Sequence, residues 1–90
     1  MNKTFSQLKR DLQQGTIITL INVECKNNKL HKNLNIPRKI EKKQTNAIKL
    51  EGGSWLGLGS NGETAKNFEY IDDSFTYTNG YIKLTYVISN

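Results

Sequence analysis

The sequence predicts an α+β fold: a short N-terminal helix packed on a small bent antiparallel β-sheet or open β-barrel of five to seven strands. Three observations predict it. Thr4-Phe5-Ser6-Gln7 reads as a capping box, and Phe5, Leu8 and Leu12 then recur on one helical face. Residues 16–24 are rich in β-branched side chains and apolar on both faces, as a central strand is. Asn79-Gly80 lies between two alternating runs, the strongest short-range hairpin signal. Ninety residues make a single domain, spanning 1–90, with a thin core.

Taken in order, the helix is expected over residues 5–14, with Gly15 in the C′ position. It is too short to be stable alone, so it must dock on the sheet. Strands are expected from 16 to 88. After residues 16–24, residues 25–35 turn polar and read as a long loop, the kind that carries function. Pro37 forces Ile36 extended. Residues 38–44 and 47–51 read as two strands, and a three-residue turn between them keeps Ile40, Ile48 and Leu50 on one face. Gly52-Gly53 reads as a tight turn, 54–57 as a short strand, 57–66 as a flexible loop and 68–71 as another strand.

In the terminal hairpin, a two-residue loop pairs Thr78 with Tyr81 and Tyr77 with Ile82. One face then collects Phe75, Tyr77, Ile82, Leu84, Tyr86 and Ile88, and the other collects Thr76, Thr78, Tyr81, Lys83 and Thr85. Trp55, Phe68, Tyr70, Phe75 and Leu84 are expected in the core beside Phe5 and Leu8. The terminal strand, guarded by Lys83 alone, is expected at an open edge, where a homodimer would form.

Composition bounds the function. With one cysteine there is no internal disulfide, which favours a reducing compartment. No stretch approaches the roughly 18 apolar residues of a membrane span, so a cytoplasmic protein with no membrane contact is expected. The net charge is +5, and its distribution is uneven. Residues 1–50 hold eleven Lys and Arg against three acids, whereas residues 51–90 hold two against five. A basic half points to an anionic partner. Lysine outnumbers arginine eleven to two, however, which an AT-rich coding bias also produces. The cluster expected to meet a partner is Lys26, Lys29, His31, Lys32, Arg38, Lys39, Lys42 and Lys43. Simple alternation puts Arg38 and Lys42 on one face and Lys39 and Lys43 on the other. Phe5 is the sole aromatic in this half, so the stacking residues of single-strand binders are missing from it, and Tyr81 is the one exposed stacker expected.

Catalytic and metal chemistry find little support. Gly57 to Gly62 fits G-x-G-x-x-G, but no βαβ unit fits around it. Cys25 and His31 are the sole Cys and His, two short of a structural zinc site. Asp72 and Asp73 are adjacent and read as a turn. No enzyme, cofactor or metal is expected.

One resemblance goes further. Thr4 to Leu12, Gly15-Thr16, Lys43 to Ala47, Gly53 to Leu56 and Ser74 to Tyr77 resemble, in order, the conserved segments of a family of small accessory proteins of Firmicute phages, prophages and mobile elements. Members of that family often follow their "SWL" with an acidic residue and "FPKA"; here the glycine-rich loop intervenes. The resemblance implies an accessory protein that binds and blocks a host defence protein. Type II-A anti-CRISPR proteins acting on Cas9 with its guide RNA are the relevant class. It carries over no catalytic residue. The alternative is a small basic nucleic-acid-binding regulator.

Overall fold

The computed structural model describes residues 2–25 and 34–89. In chain order these form β1 (Asn2–Lys3), α1 (Phe5–Asp11), β2 (Ile17–Cys25), β3 (Pro37–Gln44), β4 (Ala47–Leu50), β5 (Trp55–Gly57), a 3-10 turn (Ala65–Asn67), β6 (Phe68–Ile71), β7 (Ser74–Thr78) and β8 (Ile82–Ser89). The strands make one open antiparallel sheet in the order β1-β6-β7-β8-β2-β3-β4-β5. Eight strands exceed the expected five to seven. The addition is β1, whose two polar residues carry no strand pattern yet pair with Tyr70 and Ile71 of β6.

Thr4 caps α1 as expected, its hydroxyl accepting from the Gln7 N–H at 3.1 Å. The reciprocal half of the capping box is missing. Gln7 instead donates to Asp11 Oδ1 at 2.8 Å and accepts from Arg10. The helix ends at Asp11, three residues before the expected end. The N–H of Gly15 turns to the Ile40 carbonyl on β3, and that of Thr16 to Gln13. Docking onto the sheet therefore decides where the helix stops.

The inner face of the sheet and the helix share one core. Leu8 of α1 and Leu12, its C-cap, are fully buried with Ile18, Leu20, Ile40, Ile48, Leu50 and Phe75. Phe5 stacks on Phe68 with centroids 4.8 Å apart, and Phe75 on Tyr86 at 5.0 Å. Tyr70 and Leu84 are buried as expected, whereas Trp55 is 50% exposed. The correction follows from parity. Leu56 on β5 and Leu58 just beyond it take the inward places, which turns Trp55 outward.

Two registers differ from expectation. In the β7–β8 hairpin Thr78 pairs with Lys83, Tyr77 with Leu84 and Phe75 with Tyr86, two residues further along β8 than a two-residue loop gives. Asn79 does not adopt the positive φ of a type I′ turn. Its side chain accepts from the N–H of Tyr81 at 2.8 Å and of Ile82 at 2.9 Å, so the turn is closed through a side chain. A shift of two leaves every side chain on its expected face. Nor is β8 an edge, since it pairs with β7 on one side and β2 on the other. Dimerisation through its edge is excluded. The sheet's edges are β1 and β5.

The β3–β4 turn has two residues, not three, because Gln44 pairs with Ala47. The extra residue sits instead in a bulge at Glu41, between the pairs Ile40–Leu50 and Lys42–Lys49. Ile40, Ile48 and Leu50 still share the core face. Residues 57–66, expected to be flexible, are internally bonded. Glu63 Oε1 accepts from the N–H groups of Gly59 at 3.0 Å and Asn61 at 3.3 Å. The glycine-rich loop thus holds an anionic group, its own carboxylate. A Cβ on Gly57 would lie 2.5 Å from that oxygen.

Candidate binding face on β3, β4 and β5

The bulge at Glu41 sorts the basic residues of β3. Cross-strand partners share a face, so each cation can be placed by its partner. Arg38 pairs with buried Ile18, and Lys43 with buried Ile48, so both lie on the core side. Lys39 pairs with Ile17, and Lys42 with Lys49, so both face outward. Simple alternation predicts Arg38 with Lys42 and Lys39 with Lys43, and the inserted residue overturns that grouping. Lys26, Lys29, His31 and Lys32 lie outside the described residues.

The two core-side cations are engaged within the fold. Arg38 donates to the Glu51 carbonyl through Nε at 2.8 Å and also through Nη2, clamping the β4–β5 turn. Gly52 in that turn has φ +93°, and a Cβ there would approach the guanidinium to 3.2 Å, so glycine suits both conformation and space. Lys43 donates to the Lys9 carbonyl near the C-terminal end of α1, where a cation is favoured. Burial pushes the Lys43 ammonium below the usual lysine range, the charge of Lys9 adds to the fall, and Asp11 opposes it. Lys9 is itself bonded to Asn46 in the β3–β4 turn at 2.9 Å. These contacts tie the helix to the hairpin and leave neither cation facing outward.

On the outer face a cross-strand row remains: Lys42 on β3, Lys49 on β4 and Trp55 on β5. Lys39 lies further along β3 on the same face. Among the described residues no carboxylate lies within 4.0 Å of these three ammonium groups, and the one ion pair is Lys83–Glu24 at 3.8 Å. Glu51 is occupied, its Oε1 accepting from the Lys39 backbone N–H at 2.6 Å. Glu41, in the bulge, is exposed beside Lys42. Lys49 and Trp55 are absent from the expected cluster, and sheet pairing brings both to it. The aromatic missing from the basic half of the sequence is supplied by the other half.

A concavity of about 290 Å³ lies at the β7–β8 tip against the end of β2, lined by Glu24, Cys25, Asn79, Tyr81 and Ile82 among others. Tyr81 is 75% exposed there, as expected. Glu24 is already held by Lys83 and Asn22, and Asn79 by the turn it closes. Two strands, β2 and β3, lie between β8 and β4, so Tyr81 does not join the row.

Among the described residues no three His, Cys, Asp or Glu side chains converge as metal ligands do, and no helix is long and apolar enough to cross a membrane. No family model, curated protein or solved structure matches the chain.

Proposed function

We propose that this chain is a non-enzymatic binding protein that meets an anionic partner through the outer face of β3, β4 and β5. The observation that supports this is the division of the basic residues. Arg38 and Lys43 are bonded inside the fold, while Lys39, Lys42 and Lys49 project from one face with no carboxylate partner among the described residues. Unneutralised like charges on a rigid sheet are a cost unless a partner offsets them. The resemblance to phage accessory proteins makes that partner a host defence protein that the chain inhibits, with the Cas9–guide RNA complex as the specific candidate. The exposed row then meets guide RNA or an acidic surface of the complex. A second reading, a small nucleic-acid-binding regulator, is favoured by Trp55 standing at the end of the lysine row.

The test is affinity capture of the tagged protein from a lysate expressing Cas9 and guide RNA, with and without nuclease, for the native chain and a Lys42→Glu/Lys49→Glu double variant. The inhibitor reading expects a stoichiometric protein partner, lost from the variant. Recovery of nucleic acid alone, abolished by nuclease, selects the regulator. Capture that is identical for both chains removes the proposed face.

A further inference from the structure

We infer that Trp55 is a stacking platform for one base of a single nucleic-acid strand, with Lys49 and Lys42 to one side of it as phosphate contacts. The inference rests on the anionic-partner reading and names the chemistry of that partner. Half of the surface of the chain's single tryptophan is exposed, on edge strand β5. Tryptophan offers the largest apolar surface of any side chain and is mostly buried on average. Here the adjacent inward positions go to Leu56 and Leu58, and the indole is presented to solvent on the face that also carries Lys49 on the next strand and Lys42 on the one beyond.

The geometry of a sheet sets the spacing. Adjacent strands lie about 4.8 Å apart, so Lys49 stands one strand from the indole and Lys42 two. Both can reach phosphates on one side of a base resting on Trp55. Because β5 is an edge, nothing in the sheet covers its other flank, and a strand can continue past it.

This chemistry selects a single strand over a duplex. Bases within a duplex stack on one another and offer no open ring face, whereas unpaired bases can lie on an indole. It also makes recognition tolerant of sequence. Every base has a π-face, and lysine is a point charge without the fork that reads guanine.

The full chain is titrated at low salt with an end-labelled twelve-nucleotide oligothymidylate, with its duplex, and with heparin as a polyanion without bases. Label anisotropy, with competition for heparin, reports binding, and tryptophan emission reports Trp55 alone. Expected are single-strand binding with quenched emission, weaker duplex binding, and heparin binding without quenching. Trp55→Ala should weaken single-strand binding about 5- to 100-fold, and Trp55→Phe should retain most of it. Circular dichroism verifies that both variants are folded. Single-strand binding with unchanged emission and unchanged affinity in Trp55→Ala overturns the inference and leaves the anionic-partner reading standing. Duplex binding equal to that of the single strand overturns the inference as well. Failure to bind all three polyanions overturns both.

Discussion

Asp11 closes the last turn of α1 and accepts from the Tyr70 hydroxyl on β6 at 2.7 Å. That bond holds the Asp11 carboxyl below its ordinary range, with Gln7 assisting and partial burial opposing. Burial first, and then the bond to Asp11, push the Tyr70 hydroxyl up to about 12. The two shifts act at opposite ends of the pH scale. A depressed carboxyl stabilises the fold above its unfolded value, and this is lost as pH falls through the lowered one. A raised phenol stabilises below its unfolded value of 10.0, and this is lost as pH climbs from there toward about 12. Tyr70→Phe should therefore cost about 1 kcal/mol near neutrality. Denaturant titrations across pH should show that deficit shrinking below pH 4 and again above pH 10. A deficit independent of pH would mean that the hydroxyl contributes without the Asp11 carboxylate, and no deficit would mean that Tyr70 contributes by packing alone. At this scale the sequence was readable where one residue has one job, as with Thr4 at the helix cap. The Asp11–Tyr70 bond was not readable, because its partners stand 59 positions apart and only the docking of α1 on β6 joins them.

Elements were readable in their faces and unreadable in their registers. The β7–β8 hairpin shows why. Alternation specifies which side chains go inward, and a shift of two residues satisfies it as well as no shift does. Asn79-Gly80 permits a two-residue turn, but the side chain of Asn79 closes a longer one by accepting two backbone N–H groups. Replacing Asn79 with Ala removes that acceptor and should destabilise the protein by about 0.5–1 kcal/mol, since water can reach both donors. Asn79→Gly should cost as much, whereas a turn that needed only a permissive backbone would tolerate glycine; urea titration of the two variants separates these cases. The β3–β4 hairpin fails in the same way with larger consequence. Its periodicity requires one extra residue somewhere between Ile40 and Ile48. A three-residue turn and a bulge at Glu41 serve the core equally, but only the bulge sends Lys42 outward and Lys43 inward. Trp55 did carry a local signal, since Leu56 and Leu58 share the opposite parity and mark the inward face.

Across the whole molecule the uneven charge of the chain becomes a surface only after the sheet is assembled. The acidic second half contributes β5, and with it Trp55, to the edge next to the basic β3–β4 hairpin. Composition raised the expectation of an anionic partner. It did not foresee which cations were free to meet one, because that depends on Arg38 reaching the Glu51 carbonyl and Lys43 reaching that of Lys9. Strand order was hidden for a related reason. The apolar character of β2 marks it as central, and it does lie between β8 and β3, but nothing local in β8 tells that a long-range partner covers its second edge. On the proposed function, the outward lysines of this face, and not the inward ones, contact the partner. Salt dependence of oligothymidylate binding tests it most directly. Each phosphate neutralised on a single strand contributes about 0.7 to the slope of log K against log salt. Lys42→Gln and Lys49→Gln should each lower the slope by about that amount, while Lys43→Gln should leave it unchanged. Slopes unaltered by the first two, or lowered by the third, would show that the partner is met elsewhere than on this face.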